Sequence, residues 1–112
     1  MANAPQRTYS RQNLEALELL AQTIRAGRID QKITTREMAA RAGISRSLLQ
    51  RIEEGDPSCA IGSVFEVAVI AGVSLFEADP DRLATHRAAV RGKLSLLPQR
   101  ARKPRRVIKD DF

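Results

Sequence analysis

The sequence predicts an all-α fold: a five-helix domain, a further C-terminal helix and a basic tail. Three observations carry this. Apolar residues recur at three and four through Leu14, Leu17, Leu20, Ala21 and Ile24, the period of one helical face. The stretch from Thr34 to Gly55, TTREMAARAGISRSLLQRIEEG, reads as two short helices joined by a tight turn. A hydrophobic content of 43% with 4% aromatics and no Trp describes a core of Leu, Ile, Val and Ala, as in small helical bundles. At 112 residues the chain has room for one domain and some tail.

Residues 1–9, with Pro5 and Arg7, are expected to form a flexible arm, the alternative being a phosphate contact through Arg7 and Arg11. The domain proper is placed at 10–79. Its first helix runs from Ser10 or Asn13 to Arg28, with Gly27 loosening its end and Ile29 and Ile33 holding the loop Asp30 to Lys32 on the core. Thr34 followed by Glu37 has capping-box spacing and starts the second helix. On it Met38, Ala39 and Ala42 share a stripe, and Gly43 supplies the left-handed residue that ends it. Ser45 then caps a third helix, with Leu48, Leu49 and Ile52 turned inward.

Opposite that stripe, Arg46, Ser47, Gln50, Arg51 and Glu54 occupy an arc of about 140°. Guanidinium, amide and hydroxyl groups are the ones that meet base edges and phosphates: Arg bidentate on guanine, Gln on adenine, Ser on either. Nineteen Lys and Arg against thirteen Asp and Glu leave a net charge of +6, which suits a polyanion. A generally basic protein would carry the same charge, and an ordinary αα-hairpin the same glycine and stripes; the arc is what those readings leave unused.

Counting from Thr35, the residues Met38, Ala39, Ala42, Gly43, Ile44, Leu49 and Ile52 resemble the helix-turn-helix of phage-repressor-like (XRE-type) regulators. The resemblance implies a five-helix DNA-binding domain with the third helix in the major groove, Arg46, Ser47 and Gln50 nearest the bases, Arg51 on a base or phosphate, and Thr35 and Ser45 at the helix starts. It also makes Arg25, Arg28 and Lys32 candidate phosphate contacts. The partner it implies is double-stranded DNA, a palindromic operator read by a homodimer.

After the turn Gly55-Asp56-Pro57-Ser58, the segment from Gly62 to Ala71 is apolar nearly all round. A helix apolar on every face is buried on every face, so one side is expected in the core and the other against a second copy, with Val64, Val67 and Ile70 at that interface. Gly72 ends the helix, Ser74 caps a short one holding Leu75 and Phe76, and Asp79-Pro80 starts the last, at 80–97. There Leu83 and Val90 are the further interface candidates, His86 is a surface position, Gly92 is an interruption and Pro98 the stop.

The tail, 98–112, sets six cations against two carboxylates, yet ends on apolar Val107, Ile108 and Phe112. An arm along DNA, a short strand from Arg105 to Ile108 paired across a dimer, a peptide that orders on a protein partner and a plain solvated tail remain open. The Glu54-Gly55-Asp56-Pro57 turn, the apolar helix and Leu96-Leu97-Pro98 before a basic tail are similar to HipB-type antitoxins. That similarity implies a HipA-type kinase toxin as partner, met by Arg105, Val107, Ile108 and Phe112. Those antitoxins can end in tryptophan, and here Phe112 stands instead.

One cysteine, Cys59, and one histidine, His86, make neither a disulfide nor a metal site, and no cofactor motif is present. Glu53 and Glu54 point about 100° apart on a helix, and Asp110 and Asp111 lie in the tail, so neither pair suggests catalysis. No apolar leader or membrane-length run is visible, which makes a cytoplasmic protein the expectation.

Overall fold

The computed structural model describes residues 8–104. Among them are five α-helices and one 3-10 turn, with no strand: α1 (Arg11–Asp30), α2 (Thr35–Ala42), α3 (Arg46–Glu53), α4 (Ile61–Ile70), the 3-10 turn Leu75–Glu77, and α5 (Pro80–Leu96). Arg7 and the tail residues Arg105, Val107, Ile108 and Phe112 lie outside the described residues. The chain divides into two compact units, residues 1–77 and 78–112.

In the first unit the starts of α1, α2 and α3 are fixed by a side chain of the expected kind, whereas α4, entered from Ala60, has no side-chain cap. The Ser10 hydroxyl accepts from the Asn13 amide, Thr34 from Glu37 and Ser45 from Leu48, at 3.0–3.1 Å. Each bond satisfies one of the amides that a helix start leaves without a partner. Gly43 closes α2 in the left-handed region, at φ +69°, so the chain reverses within three residues and α3 begins at Arg46.

The core takes one wholly buried side chain from each of four helices: Ile24, Met38, Leu49 and Val67. Ala39 and Ala68, also buried, let neighbouring backbones approach, and α4 packs on both α2 and α1. Gly27 has a different duty from the one expected of it. Helix α1 runs past it to Asp30, and a Cβ there would run into the Ala71 carbonyl. Its missing side chain therefore sets the approach of α1 to the end of α4.

The link from α1 to α2 is also held differently. Ile33 is buried, but Ile29 is 55% exposed and pins nothing. Arg28 does that work: its Nη1 donates to the Ile33 carbonyl at 3.0 Å, while Nε and Nη2 donate to the two carboxylate oxygens of Glu53 at 2.8 and 3.0 Å. Both side chains are about nine-tenths buried. The last turn of α1, the entry to α2 and the last residue of α3 are thus joined at one guanidinium.

In the second unit α5 is capped by Asp79, whose carboxylate accepts from the Arg82 amide at 2.8 Å, with Pro80 in the first turn, where its missing N–H costs nothing. The helix passes through Gly92 without a break and stops ahead of Pro98, with Leu97 already extended at ψ 151°, as a residue before proline must be.

Removing one member of a buried ion pair leaves a bare charge in low dielectric. Arg28→Ala and Glu53→Ala should each lower unfolding free energy by about 3–5 kcal/mol, and the double change Arg28→Met with Glu53→Leu by much less. Urea denaturation followed by circular dichroism reads the difference; equal losses in all three would show that the pair is not what joins these elements.

Candidate nucleic-acid interface

The outer face of α3 carries Arg46, Ser47 and Gln50, all exposed. They are turned out because Leu49 and Ile52, each at most 3% exposed, are turned into the core. Beside them lies an open groove of about 640 Å³ between the C-terminal half of α1, the first residue of α2 and α3. Arg25 and Thr35 line its far wall and Arg46, Ser47, Gln50 and Glu54 its near one.

Thr35 is the first residue of α2, and the cap bond from Thr34 takes up only the Glu37 amide. The Thr35 and Arg36 amides keep no intrahelical acceptor, so the positive end of α2 faces the groove wall that Thr35 forms, an arrangement suited to an anion. Arg25 and Arg46 add two guanidiniums to the same groove. Guanidiniums and a helix start flanking a polar reading face are the parts needed to hold a phosphate backbone and inspect base edges at once.

Other expected contacts are placed elsewhere. Arg28 also lines the groove, but its charge is already met by Glu53, one N–H on each of its three nitrogens is engaged by Glu53 or the Ile33 carbonyl, and its side chain is about nine-tenths buried. Lys32 is exposed in the loop before α2, at φ +57°. The Ser45 hydroxyl is committed to its cap. Arg51 turns away from the reading face: Nε donates to Asp56 at 2.9 Å and Nη2 to the Ser58 hydroxyl at 2.8 Å. On α4, Val67 is fully buried and Val64 and Ile70 pack on the core. Val67 is thus a core residue and not the interface expected of it, while Val64 and Ile70 rest on the core with part of their surface exposed. On α5, Leu83 is half-buried and Val90 is 57% exposed.

Two polar pairings were missed from the sequence. Glu53 meets Arg28 across 25 positions, a pairing only the tertiary fold creates. Glu54 accepts from the Gln50 amide at 3.1 Å, an i,i+4 contact visible in principle from spacing.

The turn after α3 is a closed polar knot. Asp56 accepts from the Ser58 amide and hydroxyl at 2.8 and 2.7 Å, and from Arg51. The Ser58 hydroxyl, then the Ser58 amide, then Arg51 stabilise the carboxylate and hold its pKa at about 2. The same carboxylate raises the pKa of Arg51 through its hydrogen bond and charge. Burial pushes the thiol of the half-buried Cys59 up from its ordinary value, so it is no poised nucleophile. Among the described residues no cluster of metal-ligating side chains occurs, and no helix is long and apolar enough to cross a membrane.

Residues 24–77 match the family model described as helix-turn-helix, HTH_3. The matched segment, α1 from Ile24 through the 3-10 turn, is similar to the helix-turn-helix domains of that family. No curated protein and no solved structure matches the chain.

Because the folded pKa of Asp56 lies below its ordinary 3.8, its stabilising contribution is complete above that value and is lost as pH falls through about 2. The carboxyl carbon of Asp56 should titrate by NMR with a midpoint near 2, and Ser58→Ala should move the midpoint up towards 3.8. A wild-type midpoint already at the ordinary value would mean that the knot does not form in solution.

Proposed function

We propose that this protein is a sequence-specific transcriptional repressor that lays α3 in the major groove of duplex DNA. The observation that carries the reading is the exposed row Arg46, Ser47 and Gln50 beside the groove lined by Arg25 and Thr35. Arg46 and Gln50 are long enough to reach base edges, and Gln50 is held by Glu54 with one amide hydrogen and its carbonyl still free. Thr35 and its helix start take a phosphate on one strand, and Arg25 a neighbouring one. Arg51 reaches DNA only if it leaves Asp56. A homodimer would present two α3 helices about 34 Å apart, one turn of a palindromic site.

The finer reading is an antitoxin that represses its own operon and restrains a HipA-type kinase toxin. Its support is the run Leu94, Leu96 and Leu97, 63%, 87% and 49% exposed, directly ahead of the basic tail. Co-expression with the neighbouring gene product tests it. A complex lost on truncation at Leu97 supports neutralisation through the tail; no complex leaves a stand-alone or phage-type repressor.

Fluorescence anisotropy on DNA from upstream of the protein's own gene, against a scrambled duplex at two salt concentrations, tests the primary reading. Arg46→Ala or Gln50→Ala should cost about 1–3 kcal/mol on the preferred duplex and relax specificity at one base pair. Arg25→Ala should weaken both duplexes alike and reduce the salt slope by about 1. Equal losses on preferred and scrambled DNA for Gln50→Ala would remove α3 as the base reader.

A further inference from the structure

Helix α3 finishes on two adjacent carboxylates in different surroundings. Glu53, its side chain about nine-tenths buried, is paired with Arg28. Glu54, the capping residue that follows, is exposed and stands in the wall of the groove with Arg46, Ser47 and Gln50. It is tied to Gln50 twice. The Glu54 backbone amide donates to the Gln50 backbone carbonyl at 3.0 Å, and the Glu54 carboxylate accepts from Gln50 Nε2 at 3.1 Å. An acid here works against Arg25 and Arg46 in the same groove, because it repels a polyanion of any sequence. Its contribution therefore lies in what it does to Gln50.

A carboxylate accepts and has no hydrogen to give, so the end of the Gln50 amide that faces it is the nitrogen. One of the two amide hydrogens is spent on Glu54. What remains is one N–H and the side-chain carbonyl, a donor beside an acceptor. In the major groove adenine alone offers the complement, N7 as acceptor next to the N6 donor; guanine shows two acceptors, cytosine a donor and thymine an acceptor. A glutamine with both hydrogens free can turn its NH2 group outward and give them to guanine N7 and O6. Gln50 held by Glu54 cannot, and against guanine its carbonyl oxygen would meet another acceptor with no hydrogen between them.

We propose that Glu54 is a positioning residue that commits Gln50 to adenine and excludes guanine at one base pair of the operator. The proposal deepens the reading in which α3 lies in the major groove, and rests on it. An exposed i,i+4 pair contributes little to a helix in water. Once DNA covers the groove and expels that water, the same bond is stronger and an unmet polar group beside it costs more. The effect of Glu54 thus belongs to the choice among bound sequences, not to the stability of the free protein.

Fluorescence anisotropy on the upstream duplex and on a set in which every base pair is varied in turn is the test, with circular dichroism melting of each variant. Gln50→Ala locates the pair that Gln50 reads, as the one whose variation ceases to matter. At that pair the wild type should prefer adenine to guanine by about 10-fold or more. Glu54→Ala should bind both duplexes more tightly, since a negative charge has left the groove, and should reduce the preference about threefold or more at this pair and at no other, with unchanged melting. Glu54→Lys carries donors only, so it draws the Gln50 carbonyl towards itself and should reverse the preference to guanine; adding Gln50→Ala should abolish that reversal. A Gln50-dependent pair that is not adenine, a preference that survives Glu54→Ala or Glu54→Lys, or a loss spread over all base pairs with lowered melting would each overturn the proposal. A wild type that does not distinguish the upstream duplex from the scrambled one removes the DNA reading and the proposal together, whereas sequence-dependent binding indifferent to Glu54 removes the proposal alone.

Discussion

The setting of α3 depends on one buried ion pair. Arg28 spends two nitrogens on both oxygens of Glu53 and the third on the Ile33 carbonyl, so one side chain fixes the end of α3 against α1 and against the entry to α2. Such a pair adds little net stability, because desolvating both charges offsets most of their attraction. It does reject alternatives: a rotation of α3 that kept Leu49 and Ile52 buried would still strand a carboxylate in the core. The apolar contacts hold the helix down, and the ion pair fixes its rotation and register. The face that Arg46, Ser47 and Gln50 present follows from that setting.

The helix starts and the groove are linked through the same economy of backbone groups. Thr34 and Ser45 each take up one amide of the helix they begin, which is enough to define where the turn ends and leaves the remaining first-turn amides outward. On α2 those free amides come up beside Arg25 and Arg46. The feature that lets the chain turn within three residues is therefore the same one that leaves a positive helix end at the groove.

Local order was legible in the residues: caps at Thr34, Ser45 and Asp79, the left-handed stop at Gly43, and the inward stripes Met38–Ala39 and Leu49–Ile52 are all short-range devices. What could not be read needed tertiary information. Gly27 looked like a loose helix end because nothing in the sequence says that the Ala71 carbonyl sits against it. The apolar character of α4 suggested burial all round, but not which stripe faced inward, and the packing of α4 on α1 and α2 put Val67, expected at an outer face, wholly in the core. Gly92 looked like a break, yet a helix continues through a single glycine at a cost of about 1 kcal/mol.

The cations show why charge counts are a poor guide to a binding face. Arg25, Arg28, Lys32, Arg46 and Arg51 are equivalent by composition. In the fold Arg28 is neutralised by Glu53, and Arg51 by Asp56 with a hydrogen bond to Ser58 as well. Guanidinium groups held this way contribute to the far field but cannot form the close, directed bonds that phosphates and bases require. Arg25 and Arg46 share the groove with Thr35, and neither has an internal acid partner among the described residues. The cations without an internal acid partner are thus fewer than the net charge suggests.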